Sequence, residues 1–227
     1  MTDTGLVADL PTRRTQTQRK EETLRKLFDA TRESLIEVGY ANTSVSQICK
    51  RSGVSHGGLF RHFKSRLDLI IAVAQDVSNA LIDLYQARFA GLQHSKEPYM
   101  DALELLRKNC RERDNQAWFE LLVAARGDAV LHDAMKPIWK ENHERTIGYA
   151  RHVFPNLDEE REDFVSFVES IVYQFHGETI NAFVRNDYSQ GACSQDVKTE
   201  EAKKVREADD KRLKLILDQV RRYIEHP

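Results

Sequence analysis

Cysteine is scarce in this 227-residue chain. Cys49, Cys110 and Cys193 are odd in number and form no Cys-x-x-Cys pair, which excludes a disulfide framework and a Cys-rich zinc site. Ten Gly and five Pro are too few for a collagen-like or Pro/Gly-rich linker protein. Long apolar runs are missing as well; the longest are short, such as Leu69–Ala74, so no membrane span and no membrane partner are expected. Met1–Leu10 has neither a basic start nor an apolar stretch, so no signal peptide is expected and a reducing cytoplasm is the anticipated compartment. No segment alternates apolar and polar residues convincingly enough for a strand, and no internal repeat is visible.

What is present is a globular composition, 41% hydrophobic and 31% charged, long enough for one large domain or two small ones. The net charge of -2 hides a division. Residues 11–66 carry a net +7 and residues 67–227 a net -7. A basic unit on an acidic body suggests one module that meets a polyanion; chance clustering on solvated faces is the alternative.

Helical periodicity runs through nearly every long segment. Leu24, Leu27, Phe28, Thr31, Leu35 and Val38 share one face, and Gly39 is placed to end that helix. Val45, Ile48, Cys49 and Ser52 mark a short helix, which Ser44 and Gln47 open in capping-box order and Gly53 ends. Ser55 is the candidate N-cap of a third, with Leu59, Phe60 and Phe63 facing inward. A long helix follows from about Leu67, and further helices are expected over 98–112, 115–126, 130–153, 159–185 and 203–225. Pro137 should break or kink its helix, and 186–202 reads as a long polar connection.

Three helices in so short a span, the last two joined at Gly53, form a helix-turn-helix pattern. The strings Thr43-Ser44-Val45-Ser46-Gln47-Ile48 and Ser52-Gly53-Val54-Ser55-His56-Gly57-Gly58-Leu59-Phe60-Arg61-His62-Phe63-Lys64-Ser65-Arg66 resemble the DNA-binding region of TetR-family transcriptional regulators. The likeness covers roughly residues 20–70 strongly and extends to the rest in its all-helical pattern. Cys49 and Ser52 stand where the family usually has Ala, Phe60 replaces the usual Tyr, and Arg66 the usual Lys. The resemblance implies an all-α fold: a basic arm over 1–19, a helix-turn-helix unit over 20–66, and a helical effector-binding and dimerisation domain over 67–227.

It also assigns DNA contact to Thr43, Ser44, Ser55, His56, Gly57, Gly58, Phe60, Arg61, His62, Lys64 and Arg66. His56 and Arg61 have the reach for base edges, Arg61 by bidentate pairing with guanine; phosphate contact alone is the alternative for each. His62, Lys64 and Arg66 suit phosphates. Two Gly in a first helical turn suggest close approach of DNA, unless one lies in the turn. Arg13, Arg14, Arg19 and Lys20 could reach a minor groove or remain a solvated terminus.

The body shows no catalytic or metal constellation, so neither enzyme activity nor a cofactor is expected. His143-Glu144 lacks the second His of a zinc motif, and Asp128 with His132 supplies only two ligands. Trp118, Phe119, Leu122, Met135, Trp139, His143, Tyr173 and Phe175 are candidates to line a cavity for a small, mostly apolar or aromatic effector, with plain core as the alternative. Phe164, Phe167, Val168, Ile171, Val172, Leu213, Ile216, Leu217, Val220 and Ile224 are the candidate dimer interface, with a wholly intramolecular bundle as the alternative. The expected function is that of a homodimeric regulator, by default a repressor, released from a palindromic double-stranded operator on the nucleoid by that effector. An effector-independent DNA-binding protein whose body only dimerises or recruits a partner is the second reading.

Overall fold

A computed structural model describes residues 15–91, 95–153, 161–184 and 200–225. Arg13, Arg14 and most of the connection over 186–202 lie outside the described residues, as does Cys193. The described chain is all-α: α1 (Gln16–Asn42), α2 (Val45–Ser52), α3 (His56–Phe60), α4 (Arg66–Ala90), α5 (Pro98–Cys110), α6 (Arg113–Ala125), α7 (Ala129–Val153), α8 (Phe164–Val184) and α9 (Glu200–Glu225).

Hydroxyl caps start the first four helices. Thr15, Ser44, Ser55 and Ser65 accept from the backbone N–H groups of Gln18, Gln47, Gly58 and Asp68. The complete capping box is at α1, where the Gln18 side chain also accepts from the Thr15 N–H; at α2 only the Ser44 half forms. The Thr15 box draws Gln16–Arg19, which the resemblance places in the arm, into α1. Gly53 sits left-handed at φ 69°, turning the chain from α2 toward α3. Helix α3 is shorter than expected and closes at Phe60. Helix α7 runs through Pro137 without ending. Both Pro137 and Asp133, whose carbonyl loses its donor, are exposed, so water can serve that carbonyl.

Leu27, Ile48, Leu59 and Leu69, one from each of α1 to α4, are fully buried together. Each such burial contributes about 1.5–3 kcal/mol. Their apolar cluster does not stop at the head. It continues into Ala117, Trp118 and Leu121 of α6 and Leu131, Met135 and Ile138 of α7. A second cluster joins α5, the end of α7, α8 and α9 through Leu103, Ile147, Phe164, Phe175, Leu217 and Val220.

The proposed dimer residues are largely inside this second cluster. Phe164, Phe167, Val168, Ile171, Leu213, Ile216, Leu217 and Val220 are buried within the subunit, and Val172 and Ile224 are half-buried against it. The buried side of α8 packs against α5, α7 and α9, while Val165, Tyr173 and Ile180 of the same helix remain exposed. Arg111 reinforces the packing by bridging Glu178 of α8 and Asp209 of α9.

Candidate nucleic-acid interface and ligand cavity

The exposed surface of the head gathers Ser44, Ser55, His56, Gly57, Phe60, Arg61 and Lys64. Phe60, expected inward, is 51% exposed, because Leu59 alone takes the inward position on so short a helix. Lys50, Arg61 and Lys64 are exposed with no carboxylate partner among the described residues, whereas Arg51 is paired with Glu37. His62 is half-buried beside Phe63. The Nε2 of His56 lies 3.5 Å from Ser46 Oγ.

The two glycines of α3 differ. A Cβ on Gly58 would fall 2.9 Å from Val54 Cγ1 and 3.2 Å from Ser55 Oγ, so a side chain there would have to displace the protein's own atoms. A Cβ on Gly57 would meet nothing within 4 Å. The open side of Gly57 therefore faces away from the protein.

Two residues assigned to DNA do other work here. Thr43 is fully buried and donates its hydroxyl to the Gly39 carbonyl, 2.8 Å away. Arg66 turns inward, donating to the carbonyls of Thr43 and Tyr40 and lying over the Tyr40 ring at 4.4 Å. These carbonyls lie at the end of α1, where that of Tyr40 also accepts from the Thr43 N–H at 3.3 Å, and a guanidinium fork supplies donors that a lysine would match less well.

Tyr40 is the hub of the junction between head and body. Its backbone N–H donates to Glu120 of α6 at 2.6 Å, and its hydroxyl to Asp128 at 3.0 Å. Asp128 also caps α7, and the N–H groups of Leu131 and Val130, with that hydroxyl, hold its carboxyl below the usual range. Gly39, at φ 77°, lets Glu120 approach; a Cβ there would sit 2.8 Å from Glu120 Oε1. Arg113 pairs with Glu33, and Arg32 with Asp76 and Asp114, along the same seam. Asp128 and His132 thus serve as a cap and as a surface partner of Asp133. No cluster of three metal-ligating side chains occurs among the described residues.

The body holds two adjoining cavities. The larger, about 130 Å³, lies between α4, α5, α6, α7 and α8. The smaller, about 110 Å³, is lined by Leu122, Trp139, His143 and Tyr173 among others. Trp118, Asn142, Thr146, Val172 and His176 contribute to both walls. Of the expected effector residues, Trp118, Leu122, Trp139, His143 and Tyr173 line a cavity; Phe119, Met135 and Phe175 are core. Tyr85, Asn109, Tyr149 and His176 were not apparent from the sequence. The signal for His176 was its place on the Val168–Val172 face of α8, one position around from Phe175.

A compact helix-turn-helix head joined to a larger helical body defines the class of helix-turn-helix transcriptional regulators. The family model for bacterial regulatory proteins of the tetR family matches residues 27–73, the head and the start of α4. An uncharacterised HTH-type transcriptional regulator of Mycobacterium tuberculosis is 38% identical over 125 residues, covering 55% of this chain and 64% of the relative. The HTH-type transcriptional regulator CymR of Pseudomonas putida is 29% identical over 132 residues, covering 58% and 65%. The chain thus spans slightly under two thirds of the length of these relatives. Among solved structures, a Mesorhizobium loti regulator assigned to the same family gives a TM-score of 0.61 at 15% identity, covering 88% of this chain and 97% of that one. Bacillus subtilis FadR, in complex with stearoyl-CoA, gives 0.56 at 20% identity over 74% and 90%. These two likenesses concern the fold. No helix among the described residues is long and apolar enough to cross a membrane.

Proposed function

We propose that the protein is a homodimeric repressor that binds a near-palindromic operator through two heads and is released by a small molecule bound in its body. The observation that carries the reading is the double duty of α6. One side supplies Asn115 and Trp118 to the cavity wall; another supplies Arg113 and Glu120 to α1. Occupancy of the cavity and the pose of the head are thereby linked through one rigid element.

In the proposed complex Arg61 and His56 read base edges, Phe60 and Gly57 lie against the duplex, and Lys64 and Lys50 hold phosphates. Dimerisation uses the outward faces of α8 and α9, where Val165, Ile180 and Leu215 are exposed and Gln174 bonds Gln219 at 3.2 Å. The protein acts in the cytoplasm, at the nucleoid.

Selection of bound DNA from a random pool tests the reading. A two-fold symmetric sequence with half-sites about one helical turn apart is expected. Failure to enrich any symmetric sequence refutes it. A symmetric operator whose affinity no cavity ligand alters favours a body that only dimerises.

A further inference from the structure

The larger cavity has no charged wall. None of its lining residues is Asp, Glu, Lys or Arg. Its titratable groups stay neutral as well: burial pushes the Cys110 thiol up to about 12, raises the Tyr85 and Tyr149 hydroxyls, and pulls the His176 imidazole down to about 4. A buried carboxylate or phosphate would find no counter-charge there. Its volume, about 130 Å³, is close to that of engineered apolar cavities of about 150 Å³ that take up benzene.

One polar atom of a wall residue is left over, and it is covered rather than open to the cavity, so a donor reaches it only after a small shift of the side chains around it. Asn109 is 9% exposed; its Nδ2 donates to the Leu81 carbonyl at 3.3 Å, and its backbone carbonyl accepts from Asn115 Nδ2 at 2.6 Å. The first bond fixes the orientation of the amide, and its Oδ1 is then buried without a hydrogen-bond partner. A buried acceptor in that state recovers free energy from any donor brought to it.

We propose that this cavity is the site of a neutral, mostly apolar ligand of single-ring size, carrying one O–H or N–H that donates to Asn109 Oδ1. The proposal deepens the reading of the body as a sensing domain and rests on it for its regulatory consequence. The Tyr85 and Tyr149 rings, edge to face at 5.3 Å, give the ring an aromatic wall.

Calorimetric titration of the full-length chain with phenol, toluene and benzoate tests it. Phenol and toluene match in shape and differ in the donor; benzoate adds the charge. Phenol should bind about tenfold more tightly than toluene, the usual size of one satisfied buried hydrogen bond. Benzoate should give no saturable heat. In Asn109→Leu the preference for phenol over toluene should vanish; should that variant fail to fold, the comparison on the unaltered protein still decides. Toluene binding as tightly as phenol, benzoate binding more tightly than either, or no binding by any of the three overturns the proposal. The predicted ranking with no change in affinity for the selected operator upholds the ligand class and refutes the sensing role.

Discussion

The neighbouring glycines of α3 offer a separation of stability from DNA binding within two residues. Alanine at Gly57 introduces a methyl group into open space, with no heavy atom within 4 Å. Helix propensity favours Ala over Gly by about 0.8–1.0 kcal/mol in a helix interior. In the first turn of a five-residue helix, about half of that is a reasonable expectation. Gly57→Ala should therefore unfold at the same or slightly higher urea concentration than the parent. Alanine at Gly58 places its methyl 2.9 Å from Val54 Cγ1 and 3.2 Å from Ser55 Oγ, the cap that accepts from the Gly58 N–H. Overpacking costs about 1–3 kcal/mol and a disturbed cap about 1 kcal/mol, so Gly58→Ala should lose about 2 kcal/mol. Binding to the selected operator, measured by fluorescence anisotropy, should fall at least tenfold for Gly57→Ala despite its intact fold. Undiminished affinity in Gly57→Ala would remove Gly57 from the interface and refute the docking of α3 against DNA.

Three further outcomes are expected. Lys64→Ala should lower the slope of log affinity against log salt by about one phosphate contact, whereas Arg66→Ala should leave the slope alone and reduce stability, since it strips donors from the Tyr40 and Thr43 carbonyls; equal loss of slope in both would return Arg66 to the DNA. His176, near 4 in the fold against 6.5 when unfolded, makes the unfolded chain the better proton acceptor. Stability should accordingly fall as pH drops from 6.5 toward 4, by about 2 kcal/mol between 6.5 and 5, and His176→Phe should flatten that slope in urea denaturation. Along α9, Leu215→Glu should convert dimers to stable monomers in sedimentation, since Leu215 is 66% exposed; its buried neighbour should behave oppositely, Ile216→Ala costing about 2–5 kcal/mol without a specific effect on assembly.

Most of the helical frame was legible because local rules govern it. Apolar spacing marked α1, α2 and α4, and Ser44, Ser55 and Gly53 announced the caps and the turn. Sequence left open whether Pro137 starts a new helix or only bends one, because the penalty of a helical proline depends on whether water reaches the freed carbonyl, which sequence does not display. Thr43 and Arg66 were assigned outward because the motif gives residue types at positions, whereas their partners are backbone carbonyls exposed by the end of α1. The candidate dimer residues illustrate a related limit: an apolar stripe on α8 announces burial without naming the neighbour, and within one subunit that neighbour is α5, α7 or α9. The larger cavity was least legible, since Tyr85, Asn109 and His176 come together only when α4, α5 and α8 pack.

The division between the two apolar clusters does not coincide with the division between head and body. The first cluster welds the head to α6 and the first half of α7, and the second gathers α5, α8 and α9. The larger cavity straddles them, with Leu81 and Trp118 from one and Leu103, Cys110 and Ile171 from the other. Packing thus groups the reading head with half the body, and sets α5, α8 and α9 apart as a base. Packing forfeited along an unfilled gap is restored when the gap is filled, so under the proposed function the angle between the two parts would depend on what occupies it. In the function proposed above, a ligand there would work as a shim: a small tilt set at the gap would be enlarged by the length of the upper part by the time it reached α3.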